Sequence, residues 1–468
     1  MKKLLIVIAL IGLCSSAFAG PLTYKEGALK TNLETGEKVS LDTIADSRYK
    51  YAVVPCRPGD WFTIDANGGS IYLAWAFTDS EYRLLDKGGV QQRVQVQIKA
   101  PARAAYMITN DKGGYLSFKG RITVKDMGVM TFPLENPAIA GFLANTQYNT
   151  ADYSYSLAAN YQVSEGERLD QPLGVTVDIP RISGSRGYVL TYADNPAYAD
   201  RRVIELDKKS KTHTIYNLIP GRYYWYKVAS VQKDGKLPLC KGIIRTTGSL
   251  RMIKADSIHN VRDIGGWKTC DGRTVRYGLI FRGGQMDRGT DVSPEDAKEL
   301  TENVGIRADI DFRGAPELQT DDDDPSNDLD HAKLPGDVLY TNIPIGGIDP
   351  DGGGRDLYIQ VFRQLLSNLK EGRPTYLHCA GGADRTGCFF MFLEGLLGVK
   401  ENDLIKDVEL TTYSLYGGRQ RTMDHYKLAL EAARKTPGDT FRDRWINYAV
   451  AGGLTREEID EFTAIALD

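Results

Sequence analysis

His378-Cys379-Ala380-Gly381-Gly382-Ala383-Asp384-Arg385-Thr386-Gly387 is the stretch that decides how the C-terminal part of the chain folds. One cysteine is followed, after five small or acidic residues, by one arginine, then a hydroxyl residue and a glycine. A short apolar run, Thr375-Tyr376-Leu377, lies upstream, and a long one, Cys388 to Leu397, lies downstream. The pattern predicts a strand, a tight loop and a buried helix. A loop of that length can curl so that its backbone N–H groups face one centre. Small residues leave the concavity open, and glycine tolerates the dihedrals it needs. The helix N-terminus adds free N–H groups and a positive dipole end. The natural guest is an anion of phosphate size, with Ala380, Gly381, Gly382, Ala383, Asp384 and Arg385 around it. The same field favours a thiolate on Cys379, because cysteines at helix N-termini or beside cations fall from ~8.5 to roughly 3.5–7.5. Arg385 offers a planar fork to two phosphoryl oxygens, which lysine cannot do. Thr386 is placed to donate to the sulfur.

These residues resemble the signature of the cysteine-dependent protein tyrosine phosphatases. The likeness is greatest to a bacterial tyrosine/dual-specificity branch whose loop reads His-Cys-x-x-Gly-x-Asp-Arg-Thr-Gly. The loop fits at His378, Cys379, Gly382, Asp384, Arg385, Thr386 and Gly387; that branch often has Lys before the loop Asp, where Ala383 stands here. A second stretch, Ile258-His259-Asn260-Val261-Arg262-Asp263-Ile264-Gly265-Gly266-Trp267, matches the Asn-x-Arg-Asp-x-Gly-Gly opening of the same branch. Asn260, Arg262 and Asp263 are therefore expected to support the site, with Arg262 and Asp263 in a structural ion pair that shapes its floor. Asp311-Phe312-Arg313 is similar to an Asp-x-Arg found there.

The resemblance implies two-step hydrolysis of a phosphomonoester, without metal or cofactor. Cys379 is the nucleophile, Arg385 the phosphate clamp, and a phosphorylated protein or other phosphomonoester the substrate. The proton donor is Asp384, or else an Asp of the glycine-rich 349–356 loop, which holds Asp349, Asp351 and Asp356 but no Trp-Pro-Asp. Two other readings stay open. One is an inositol-polyphosphate or phosphoinositide phosphatase, against which Ala383 and acidic surroundings speak. The other is a non-catalytic protein that binds a phospho-ligand or a glycan, against which an intact Cys379, Asp384 and Arg385 speaks.

The chain opens with Met1-Lys2-Lys3, an apolar run from Leu4 to Leu13, and Ala17-Phe18-Ala19 before Gly20. That pattern reads as a signal peptide over 1–19 and an exported, periplasmic or secreted product. Leu13 precedes Cys14, where a lipoprotein signal wants a small residue, so lipid anchoring there is disfavoured. No later run is long and apolar enough for a transmembrane helix. A net charge of −3 gives no sign of nucleic-acid binding. Cys56, Cys240, Cys270, Cys379 and Cys388 are odd in number and scattered, which is no disulfide framework.

The fold class expected is multidomain: two N-terminal all-β sandwich domains, 20–130 and 135–248, then an α/β tyrosine-phosphatase-like domain, 250–468. Tyr51 to Pro55, Trp61 to Ile64, Ile71 to Trp75 and Val90 to Ile98 read as strands between turn signals. Trp61 and Trp75 are read as core aromatics before any carbohydrate platform. Pro133, Asn136 and Pro137 mark a boundary. Leu218-Ile219-Pro220-Gly221, followed by the aromatic run Arg222 to Val228, resembles a fibronectin type III domain. The role implied for these β domains is a spacer, or a surface for a glycan or protein ligand. The acidic run Asp321 to Asp324 lacks calcium-loop spacing and reads as a solvated loop. From about 250, helix and strand patterns alternate. Ser293-Pro294 starts a helix, Asp356 to Leu369 carries an apolar stripe, and helices follow near Asn402–Thr412, Met423–Lys435 and from Thr455.

Overall fold

The computed structural model describes residues 24–69, 72–88, 93–112, 124–145, 168–182, 184–233, 235–287, 292–314, 334–347, 351–414 and 418–468. The expected leader with Cys14, the acidic run Asp321 to Asp324, and Asp349, Ile71 and Val90 lie outside them. The chain divides into two compact units, Met1–Gly128 with Ile179–Lys211 and Trp225–Ile243, and Val129–Asp178 with Thr212–Tyr224 and Ile244–Asp468.

The first unit is built of strands. Lys25–Glu26, Tyr49–Pro55, Tyr106–Lys112, Trp75–Thr78 and Leu84–Gly88 lie side by side in one sheet, while Trp61–Asn67 pairs with Arg93–Lys99 in another. Alternation decides which faces turn inward. Phe62 and Ile64 from the second sheet share a buried cluster with Ala52, Val54, Phe77 and Met107 from the first. Trp61 is itself buried, and Trp75 packs edge-on against Phe77 with ring centres 5.8 Å apart, so both tryptophans serve packing. In the same unit Gly187–Ala193 pairs antiparallel with Arg202–Asp207 and with Tyr223–Gln232.

The second unit carries a six-stranded mixed sheet. We number its strands in chain order: β1 (Arg251–Met252), β2 (Arg262–Asp263), β3 (Ile280–Gly283), β4 (Ala308–Asp311), β5 (Leu339–Asn342) and β6 (Thr375–His378). Their spatial order is β1-β2-β3-β6-β4-β5. β6 runs parallel to β3 and to β4, with His378 level with Gly283 on one side and Asp311 on the other. The loop after His378 therefore leaves the sheet at the carboxyl ends of its parallel strands, where α/β sheets place ligands.

Behind that loop runs the helix Asp384–Leu397, with every residue from Thr386 to Leu397 buried. An apolar sequence on all sides makes it a central helix rather than a surface one. Phe389, Phe390, Phe392, Leu393, Leu396 and Leu397 are each 0 % exposed, and burying such a side chain is worth about 1.5–3 kcal/mol. Gly395 has a packing reason: a Cβ there would lie 2.0 Å from the Trp445 ring. Gly398, at φ 83°, closes the helix in the left-handed conformation.

Five elements differ from the sequence expectation. The strand read over Ile71 to Trp75 starts only at Trp75 and runs to Thr78, with Tyr72 to Ala74 outside it. Asn136 and Pro137 do mark a turn in the pattern, but they begin a helix, Pro137–Ala144, so the 135–248 segment is not all-β. Asn136 caps the Ala138 N–H, proline sits in the first turn, and Ile139 and Phe142 bury into the core of the second unit. The helix capped by Ser293 turns from α to π over Glu299–Val304 before Gly305 stops it. The helix from Glu401 stays α only to Glu409 and ends in a 3₁₀ turn, Leu410–Tyr413. Phe441–Ala451 is a further helix, opened by a Thr440–Asp443 capping box that the sequence reading passed over.

Candidate active site

The nucleophile candidate is buried at the loop. Cys379 is 3 % exposed. Burial pushes its thiol up, yet the net shift is downward, because the Thr386 hydroxyl and N–H, the Arg385 charge and the Ala383 N–H all favour the thiolate. Thr386 Oγ1 is buried, and its hydroxyl favours the Cys379 thiolate. Arg385, half-buried, reaches the Phe312 carbonyl at 3.4 Å. Gly382 must be glycine: its φ is +62°, and a Cβ there would lie 2.0 Å from the Gly283 carbonyl oxygen. Cys388, about one turn into the helix Asp384–Leu397, is a different kind of thiol. Burial, and then the Asp384 charge, push it up to about 12, and it donates to the His425 carbonyl at 3.6 Å.

His378 is held from behind. Its Nδ1 lies 3.1 Å from the Cys379 carbonyl oxygen, and its Nε2 lies 3.3 Å from Asp309 Oδ1. Asp311 Oδ1 is 3.8 Å from Nδ1. Burial opposes a charge on the imidazole, but Asp311 and Asp309 overcome it and raise His378 to about 9. Asp311 is the firmer counter-charge of the two. Burial pushes Asp309 up, whereas Arg313 grips Asp311 through Nε at 3.0 Å and Nη2 at 2.6 Å and helps keep it ionised. Arg313 also binds Asp287 at 2.7 Å.

The second motif lies directly under the loop. Asn260, itself at φ +62°, donates from Nδ2 to the carbonyls of Gly381 (3.2 Å) and Gly382 (3.0 Å) and to Thr411 Oγ1 (3.2 Å). Its Oδ1 accepts from Arg262 Nη1 at 2.6 Å, and its N–H donates to Asp170 at 2.7 Å. Arg262 and Asp263 do not pair with each other. Neighbours on a strand face opposite ways, so Arg262 turns to Asp407, at 2.9 Å. Asp263 turns to Arg251, at 3.2 Å, and to the N–H groups of Gly265 and Gly278. Only Arg262 belongs to the floor of the loop.

Asp384 is the loop residue whose placement most constrains chemistry. Its carboxylate accepts from Arg419 Nε at 2.7 Å and Nη2 at 3.2 Å and from the Tyr426 hydroxyl at 3.2 Å, and His425 Nε2 lies 3.2 Å away. Burial pushes it up, but His425 and Arg419 outweigh that and bring it to about 2. Among the other acids considered, Asp356 stands in the first turn of Arg355–Lys370 and borders a shallow surface groove of about 510 Å³ with Ile359, Gln360, Arg363, Gln364 and Gly452.

Sequence reasoning missed Arg282, Asp407, Arg419 and His425. For Asp407 a signal existed. It falls three residues after Leu404 and next to Val408, on the apolar face of Glu401–Glu409, and a charge in such a stripe needs a buried partner. Arg282 ends an otherwise apolar strand. Arg419 and His425 had no local signal, since only the fold carries them back to residue 384.

The loop thus brings a depressed thiol, a guanidinium and a helix N-terminus together at the end of a mixed sheet. Residues 253–451 match the tyrosine phosphatase family. A protein of Cupriavidus necator, provisionally named a tyrosine-protein phosphatase, is 26 % identical over 165 residues. That stretch is 32 % of this chain and 59 % of the relative. Among solved structures, P. aeruginosa TpbA is 15 % identical with a TM-score of 0.26, covering 39 % of this chain and 91 % of its own. A Fn3-like protein from Clostridium thermocellum is 14 % identical with a TM-score of 0.14, covering 16 % of this chain and 78 % of its own. Among the described residues no helix is long and apolar enough to cross a membrane.

Proposed function

We propose that the chain is an exported phosphatase that hydrolyses phosphotyrosine, with dual specificity toward phosphoserine and phosphothreonine as the wider form of the same activity. The observation that carries this is the Cys379 thiol, which burial alone would raise and which the loop nevertheless lowers. A structural buried cysteine is pushed the other way, as Cys388 is. The Cys379 thiolate attacks phosphorus in line, the P–O bond to the leaving group breaks, and a phosphocysteine forms. Water, giving a proton back to the group that protonated the leaving oxygen, then attacks that phosphorus, the S–P bond breaks, and inorganic phosphate leaves with the thiolate regenerated. Loop N–H groups and Arg385 hold the equatorial oxygens through both steps. The Thr386 hydroxyl stabilises the departing sulfur in the second.

Asp384 serves as proton donor only once its carboxylate is protonated. In the pair with Arg419 it is an acceptor. A bound phosphoryl dianion supplies the like charge that raises a neighbouring carboxyl, and it competes for Arg419. The acid therefore becomes available when substrate arrives. The burial of Cys379 supports the aryl ester: a nucleophile 3 % exposed is reached more readily by a phosphate on a long flat ring than by one close to the peptide backbone. Segment 20–130, read as a β-sandwich domain, and segment 135–248, read as fibronectin type III-like, are proposed to be spacers or surfaces for a glycan or protein ligand. The 1–19 leader is proposed to direct export to the periplasm or beyond.

The test is phosphate release by the full chain, with Cys379→Ser beside it, from phosphotyrosine, phosphoserine and phosphothreonine peptides, phosphoinositides and phytate. Release from phosphotyrosine that vanishes in the variant is the expected result. Release chiefly from phytate or phosphoinositides moves the substrate class, and no release under reducing conditions overturns the enzyme assignment.

A further inference from the structure

The geometry assigns Arg282 and Asn260 as positioning residues that turn the loop's peptide planes so that their N–H groups face the phosphate. This rests on the phosphatase reading of the loop. A peptide unit is flat and trans, so its C=O and the next residue's N–H point in opposite directions. Whatever fixes the carbonyls on the outside of the loop therefore aims the amides inward.

Four successive carbonyls have such an external donor. Cys379 O faces His378 Nδ1 at 3.1 Å, and Ala380 O accepts from the Gln285 N–H at 3.0 Å. Gly381 O accepts from Asn260 Nδ2 at 3.2 Å. Gly382 O accepts from Asn260 Nδ2 at 3.0 Å and from Arg282 Nη2 at 2.9 Å. The corresponding N–H groups belong to Ala380, Gly381, Gly382 and Ala383. The last of them already acts on the Cys379 sulfur and lowers its pKa.

The two positioning side chains are themselves immobilised. Arg282 is 0 % exposed, binds Asp407 through Nη1 and lies over the Phe390 ring at 4.8 Å. Asp407 also takes Arg262, which in turn fixes Asn260 Oδ1 and so decides which end of the amide faces the loop. Glu394 is fully buried nearby, with neither carboxyl oxygen hydrogen-bonded. Burial, then the charge of Asp407, raise it well above the usual carboxyl range. Arg262 and Arg282 thus share the Asp407 carboxylate beneath the anion loop.

The experiment measures protection of Cys379 from iodoacetamide by inorganic phosphate, and the pH midpoint of alkylation without phosphate, on the full chain. The variants are Arg282→Gln, Arg282→Lys and Asn260→Gly, each checked for folding by thermal unfolding. Glycine suits the positive φ at 260, so that variant keeps its backbone even if Arg282→Gln fails to fold. Phosphate protection is expected to weaken about 10-fold or more in Arg282→Gln and Asn260→Gly, with the alkylation midpoint moved up. Arg282→Lys is expected to fall between them and the wild type, since an ammonium cannot serve Asp407 and Gly382 in one fixed fork. Folded variants with wild-type protection and an unmoved midpoint overturn the assignment. Absence of phosphate protection in the wild type overturns the phosphatase reading instead.

Discussion

Replacing Arg419 by glutamine separates two roles for Asp384. In the structure the carboxylate is gripped by Arg419 at 2.7 Å and 3.2 Å and sits at about 2, against an ordinary 3.8. His425 and Tyr426 remain when Arg419 goes, and the Asp384 side chain is 47 % exposed. Solvent screening then limits the recovery to roughly one unit. At pH 6 the protonated fraction rises from about 1 in 10⁴ to about 1 in 10³, a roughly 10-fold gain in donor. A weaker acid transfers its proton less readily, so the net gain is about 3-fold. The assay compares kcat/KM for phenyl phosphate and p-nitrophenyl phosphate from pH 4 to 8 in wild type, Arg419→Gln and Asp384→Asn. The expected pattern is a gain for Arg419→Gln on phenyl phosphate alone, and a loss for Asp384→Asn far larger on phenyl phosphate. Equal losses on both substrates in both variants would refute the reasoning, because p-nitrophenolate needs no proton to leave; Asp384 and Arg419 would then be a structural pair.

Gly395→Ala places a methyl 2.0 Å from the Trp445 ring, so thermal unfolding should show a loss of about 1–3 kcal/mol from overpacking. Gly382→Ala meets the Gly283 carbonyl at 2.0 Å and a positive φ; phosphate should no longer protect Cys379 in a chain that still folds. His378 sets a pH dependence. Its folded value of about 9 exceeds the ordinary 6.5, so its contribution, about 3 kcal/mol by the size of the shift, is complete below pH 6.5 and lost as pH rises through 9. Urea unfolding of wild type should show that decline, and His378→Asn should flatten it. A decline of equal size in His378→Asn would assign it to other groups.

The loop was legible because its chemistry is local. Cysteine, arginine and the threonine that serves the sulfur lie within one turn of chain, and a strand and an apolar helix can be read on either side without knowing the sheet order. The second motif was legible as a motif but not as a geometry. Adjacent residues of a strand face opposite sides, so Arg262 and Asp263 could not share one ion pair, and their partners Asp407 and Arg251 become visible only in three dimensions. The Pro137–Ala144 helix was hidden for a related reason. Eight residues are too short to show a period, and what stabilises them is burial of Ile139 and Phe142 in a core assembled from sequence far downstream.

The same reasoning explains why the chain keeps so many buried charges beneath a small loop. A loop of alanines and glycines has no side chains with which to fix its own dihedrals, and glycine is the residue with most conformational freedom to lose. Its shape must come from outside. Asn260 and Arg282 reach the carbonyls directly, and Asp407 and Arg262 hold those two in place. Buried ion pairs are a weak source of net stability, so their value here lies in orientation. That account predicts a specific asymmetry. Isosteric Asp407→Asn should leave two buried guanidinium groups without a counter-charge and destabilise the fold by several kcal/mol. Glu394→Gln, replacing a buried acid whose oxygens accept no hydrogen bond and whose pKa burial raises, should change thermal stability far less. Equal destabilisation by both would mean that Glu394, like Asp407, is a counter-charge the guanidinium groups require.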